Sequence, residues 1–144
     1  MTADLEFMPW TAVRDLVAAR AIVDAAGEDN GGVLIDALHM DRSGTTPAQV
    51  ATLPASRIHY VQFCDGFADY DRSDEGLIKI ARSARLFPGE GAIDLVGLAR
   101  AIPEGVTISV EVPNHALAKT LDPVARARHA IATTREILAR AGRA

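Results

Sequence analysis

The stretch Val33-Leu34-Ile35-Asp36-Ala37-Leu38-His39 opens the reading of the fold, because its run from Val33 to Leu38 is apolar and rich in residues that favour a pleated strand. Three further runs share that character: Leu5 to Met8, Ile58 to Phe63 and Val106 to Val112. Between and after them the apolar residues take helical spacing, as at Val13, Leu16, Val17, Ala21 and Ile22 and again at Ile131, Ile137 and Leu138. Two helix starts are marked chemically. Thr46-Pro47-Ala48-Gln49 is a capping box with proline at the first helical position, and Asp122-Pro123 repeats the order of cap then proline. Strands alternating with helices predict an α/β fold with a parallel sheet, right-handed crossovers and all four strand C-termini on one face.

Side chains along a strand alternate faces, so phase separates the buried side from the chemical one. Leu5 and Phe7, Val33 and Ile35, Val61 and Phe63, and Ile108, Val110 and Val112 are assigned to the side facing the helices. The opposite phase carries Glu6, Asp36, Gln62 and Glu111 toward the strand ends. Three carboxylates on one surface repel one another unless a cation neutralises them or a proton is shared. A divalent metal is the simplest resolution, and all-oxygen ligands favour a hard ion, Mn²⁺ or Mg²⁺, with Co²⁺ also allowed. The competing reading is that each acid caps a helix or shapes a loop. No Gly-x-Ser-x-Gly elbow, P-loop, Gly-x-Gly-x-x-Gly or His-Glu-x-x-His motif offers another chemistry.

Composition narrows the function classes. The 144 residues are 49% hydrophobic and 24% charged, as expected of one globular domain spanning 1–144. A net charge of −4, with 15 basic and 19 acidic side chains and scattered arginines, argues against nucleic acid as a partner. No stretch approaches the roughly 18 apolar residues of a spanning helix, and the N-terminus lacks a basic and apolar leader. A single cysteine, Cys64, rules out an internal disulfide, so a reducing, cytoplasmic location is expected. The connection from Gly66 to Gly91, with a short helical pattern near Leu77 to Ala84, is placed as a substrate lid or a solvated excursion.

With these motifs assembled, the sequence resembles the xylose isomerase-like TIM-barrel superfamily, the sugar phosphate isomerases and epimerases. The matching stretches include Leu5-Glu6-Phe7, Val33 to His39, Ile58 to Asp65, Arg85-Leu86-Phe87-Pro88-Gly89-Glu90-Gly91 and Ile108 to Asn114. The resemblance implies a metal held by Glu6, Asp36, Gln62 and Glu111, with Glu6 and Glu111 moving protons through an enediolate and His39 and Arg85 contacting substrate. Gln62 stands where the family more often has histidine, which is similar to the bacterial 3-dehydroshikimate dehydratases of the same superfamily and implies a lyase as the alternative. A complete barrel takes roughly 250 residues, so the resemblance implies the C-terminal (βα)4 half. Such a half is expected to be a homodimer or to pair with a complementary half-barrel, its substrate a small carbohydrate or hydroxy-keto compound. A third reading is an inactive or accessory half-barrel that acts in assembly.

Several residues receive minor readings. His59 is assigned to the side facing the helices as a hydrogen-bonded packing residue, and His115 and His129 have no partner at metal spacing. Cys64 is read as a buried bystander, Trp10 as a pocket wall or a packing residue, and Glu90 as either reaching the site or serving the Pro88-Gly89 turn.

Overall fold

A computed structural model describes residues 1–143. Four strands, β1 (Ala3–Glu6), β2 (Gly31–Asp36), β3 (Tyr60–Phe63) and β4 (Thr107–Val110), lie in the order β1-β2-β3-β4, and each neighbouring pair is parallel. The crossovers carry α1 (Leu16–Ala26), α2 (Ala37–Arg42), α3 (Pro47–Val50), α4 (Asp74–Ser83) and α5 (Leu95–Ala101). After β4 come α6 (Leu117–Thr120) and α7 (Pro123–Arg140). This is the parallel α/β architecture expected from the alternation, with the four strands of the (βα)4 half that the resemblance implies. No helix among the described residues is long and apolar enough to cross a membrane.

Local chemistry sets the helix starts. Thr46 and Gln49 form the reciprocal capping box at α3, and the Asp122 carboxylate accepts from Val124 and Ala125 N–H at the start of α7. Asp15, Ser73 and Asp94 cap α1, α4 and α5 in the same way. α1 ends at Gly27, whose φ of 69° is strained for a residue with a Cβ.

Strand phase sorts the faces as expected over the first three strands. Phe7, Val33, Ile35, Val61 and Phe63 are each at most 1% exposed in the core beneath the helices. The register sets Glu6 beside Leu34, Asp36 beside Gln62 and Gln62 beside Ser109, so the polar positions share the opposite face.

His59 departs from its assigned side. A Cβ on Gly32, which is in phase with Asp36, would strike both His59 Nδ1 and Asp4 Oδ1, so the imidazole lies on the inner face and meets Asp4 at 2.6 Å. The reason is local. The chain reaches β3 through a tight turn at Ala55–Arg57, Ile58 and Val61 both pack into the core, and strict alternation begins only at Tyr60.

The long connection after β3 is tied down by one carboxylate. Asp65, 1% exposed, accepts hydrogen bonds from Gly66, Gly89 and Ile93 N–H at 2.8, 2.9 and 3.0 Å, and its backbone pairs antiparallel with Leu86. Gly91 is required beneath it, since a Cβ there would strike Asp65 Oδ1 and Gly66 O. Losing this acceptor leaves three N–H groups seeking partners, two of them set far along the chain. Asp65→Ala is therefore expected to lower stability by about 3 kcal/mol in urea unfolding, with Asp65→Asn falling between it and the unaltered protein.

Candidate metal centre

Asp36 ends β2 and begins α2, and its carboxylate has work on both sides. Oδ1 accepts from Leu38 and His39 N–H at 2.9 and 3.1 Å, capping α2, while Oδ2 accepts from Arg85 Nη1 at 2.5 Å. Asp36 is thus the helix cap that acidic residues after strands commonly are, and it also faces the inner surface. The cap aims the first turn of α2, which brings His39 back over the strand ends. One ligand atom each from Glu6, Asp36 and His39 lies within 4.8 Å of the other two.

Arg85 is the residue whose neighbours no local pattern disclosed. Its Nε donates to Ala81 O at 2.9 Å, its Nη1 reaches Asp36 and the Cys64 Sγ at 3.4 Å, and Glu111 Oε2 stands 3.2 Å away. Burial works against its charge, but Asp36 and Cys64 together, by charge and by hydrogen bonding, outweigh that cost and hold the guanidinium protonated more firmly than in a free arginine. The repulsion that called for a cation is consequently relieved in part by the chain itself. Arg85 serves Asp36 and Glu111, while Glu6 has no hydrogen-bonded cation of its own.

That imbalance shows in Glu6. Burial first, then the charges of Asp36 and Glu111, push its carboxyl up to about 7, against a smaller opposing pull from Arg85. His39 moves the other way. Burial lowers it to about 4, so the imidazole is neutral at pH 7 and its 3.6 Å approach to Glu6 is not an ion pair. Trp10 packs edge-on against the ring, with centroids 5.1 Å apart, and braces His39.

The donor set suits a divalent ion. Gln62 Oε1 and His39 Nδ1 are buried without a hydrogen-bond partner, and Glu6 carries a carboxylate disfavoured by its surroundings. An unpartnered amide oxygen and a carboxylate without a cation of its own are groups that a divalent ion would satisfy. Of the six residues expected at the site, Glu6, Asp36 and His39 converge. Gln62 adjoins Asp36 in register, and Arg85 links Asp36 to Glu111, which lies just past β4 with its side chain 44% exposed.

The other sequence candidates lie outside this cluster. Glu90 is held by His129 Nε2 at 2.6 Å, an exposed pair that fastens the Pro88-Gly89 turn to α7. Cys64 is fully buried and its thiol is pushed up to about 12, chiefly by burial, which keeps it protonated and unreactive. His115 is exposed beside α6 and its N–H donates to Ser83 O.

Comparison with known proteins agrees with the fold. The profile of the xylose isomerase-like TIM barrel family matches residues 1–137, and the chain belongs to that family. Over 96 residues, 65% of the chain, it is 32% identical to the 3-dehydroshikimate dehydratase of Pseudomonas aeruginosa, spanning 14% of that protein's length. Among solved structures it is similar to the IolI protein with a bound zinc atom, with a TM-score of 0.81, 24% identity, and 96% of this chain matched to 49% of that one. An L-ribulose 3-epimerase gives a TM-score of 0.71 and 21% identity over 98% of this chain and 48% of its own. These two likenesses establish the fold, and the chain spans about half the length of each.

The shifted groups predict a pH profile for the chelated protein. Glu6 ionises at 4.5 when unfolded and about 7 when folded, so its contribution is complete below 4.5 and is lost as pH rises through 7. The contribution of His39 is present above 6.5 and is lost as pH falls through 4. Thermal melts in chelator should give greatest stability near pH 5 to 6. Between pH 4.5 and 6.5 the two changes oppose and offset each other, so Glu6→Gln should remove the fall above pH 6.5 and leave stability rising from pH 4 to 6.5.

Proposed function

We propose that this chain forms the metal-binding half of a divalent-metal-dependent isomerase or epimerase acting on a small sugar, sugar phosphate or hydroxy-keto compound. The observation that carries the reading is the convergence of Glu6, Asp36 and His39 within 4.8 Å, with Gln62, whose buried Oε1 has no partner, adjoining Asp36 in register. Glu6, Asp36 and Gln62 would hold the ion, with Glu111 or His39 completing the set. When bound, the ion would polarise neighbouring carbonyl and hydroxyl oxygens of the substrate and acidify the C–H between them.

The chain's own residues would manage the proton. A Glu6 carboxyl near 7 takes up or releases a proton at neutral pH at little cost, which suits a general acid or base. Glu111 stands at the end of the last strand, so the two glutamates approach substrate from opposite ends of the sheet, one to remove a proton and one to return it. Arg85 pairs with Asp36 and Glu111 and would offer its remaining N–H groups to a substrate oxygen. His39, neutral and held by Trp10, orients a hydroxyl through a hydrogen bond.

A dehydratase is the second reading, and the 32% identity to the Pseudomonas enzyme favours it. Both reactions begin by removing a proton beside a carbonyl, so they differ in whether a hydroxyl then leaves.

Metal content and product identity test the two together. Protein purified without chelator should carry about one divalent ion per chain, with Glu6→Gln and Glu111→Ala each reducing that content. Isomerase chemistry predicts solvent deuterium at the carbon beside the carbonyl of a keto sugar. Dehydration of 3-dehydroshikimate instead gives a more conjugated product with new ultraviolet absorption. Protein that stays metal-free after incubation with Mn²⁺, Mg²⁺ and Zn²⁺ would end both readings in favour of an assembly role.

A further inference from the structure

Three carboxylates make the inner face rich in acceptors, and the Arg85 guanidinium among them divides its charge between Asp36 and Glu111. A ligand carrying several oxygens also needs donors, because a polar group buried without a partner costs affinity. Tyr60 brings a neutral donor to this face.

Its place is fixed by the pleat. From Tyr60 the side chains of β3 alternate strictly: Val61 and Phe63 are buried in the core beneath the helices, while Tyr60 and Gln62 are partly buried on the opposite face. β3 is paired on both sides, with β2 and with β4, so strands hold both flanks of Tyr60. Gln62 adjoins Asp36 in register, which sets Tyr60 one pleat, roughly 7 Å, beneath the level of the ligand cluster. The strand order also places β3 between β1, which carries Glu6, and the end of β4, which leads to Glu111.

Electrostatics agree with that placement. A phenol holds its proton at neutral pH in any case. Burial first, then the charges of Asp4, Glu6 and Glu111, raise the Tyr60 phenol further, so carboxylates from both sides of β3 act on it. No hydrogen bond contributes to that shift.

We propose that Tyr60 forms the floor of the substrate site and donates its hydroxyl to a third substrate oxygen, beyond the carbonyl and hydroxyl that the metal would take. The site then selects polyhydroxylated keto compounds over simple hydroxy-ketones. The inference rests on the metal-dependent function proposed above and narrows its substrate class. Gln62 on the same strand serves the ion while Tyr60 beneath it serves the ligand, so one strand aligns the two.

The test titrates the full chain, loaded with whichever of Mn²⁺, Mg²⁺ and Zn²⁺ it retains, with two probes. Hydroxyacetone carries only a carbonyl and its neighbouring hydroxyl, whereas erythrulose has a hydroxyl on each of its other carbons. Trp10, the only tryptophan, packs against His39 and reports binding by its fluorescence without need of turnover. The unaltered chain should bind erythrulose about tenfold more tightly than hydroxyacetone, as one net hydrogen bond allows. Tyr60→Phe, which removes a single oxygen, should abolish that preference and leave hydroxyacetone binding, metal content and melting temperature unchanged. Tyr70→Phe, whose ring lies against Arg42 in the connection after β3, should keep the preference. A preference that survives Tyr60→Phe would overturn the proposal. So would an equal loss for both probes, which would mean that the hydroxyl acts through the glutamates, or a metal-loaded chain that binds neither probe. A chain that takes up no metal would overturn the function above together with this inference, and metal analysis of the same samples tells the two failures apart.

Discussion

The buried contact between Arg85 and Asp36 is the constraint on which the rest of the site depends. Asp36 is fully buried and Arg85 is 4% exposed. Neither charge is tolerable there without the other, and removing one partner of such a pair typically costs about 3 to 5 kcal/mol. The pair joins elements 49 residues apart, so it binds the end of the long connection to the end of β2. Because Asp36 also caps α2, the same carboxylate sets the angle at which His39 returns over the strand ends. Sheet, helix and connection are thereby registered at one group.

The pair also decides the electrostatics of its neighbours. One guanidinium shared between Asp36 and Glu111 leaves Glu6 as the carboxyl pushed toward neutral pH, although all three acids stand on the same surface. A divalent ion and Arg85 are therefore complementary rather than competing answers to the repulsion. The arginine settles the side nearest β4 and the connection, while the cluster of Glu6, Asp36 and His39, with Gln62 next to Asp36 in register, remains suited to a cation.

Much of this was legible before any coordinates, and the exceptions share a cause. Period-two alternation separated Phe7, Ile35 and Phe63 from Glu6, Asp36 and Gln62, because strand pleating acts over neighbouring residues. The same rule misplaced His59, since Ile58 and Val61 both enter the core and the phase resets between them. Thr46 and Asp122 announced their caps through contacts two or three residues away. The grip of Asp65 on Gly89 and Ile93, and that of His129 on Glu90, cross 24 to 39 residues and left no periodic trace.

The sequence by itself determined the alternation of strands and helices, the faces of those strands, the helix starts and the four polar side chains carried toward one edge. Each of these follows from interactions within a turn or a pleat. Only the tertiary structure decided that His39 would stand with Glu6 and Asp36, that Arg85 would lie between Asp36 and Glu111, and that Glu90 would be held by α7 instead. Those outcomes depend on how far each element is carried round the sheet before it packs. That distance is set by burial and by long-range ion pairs, whose partners the chain brings together only when it folds.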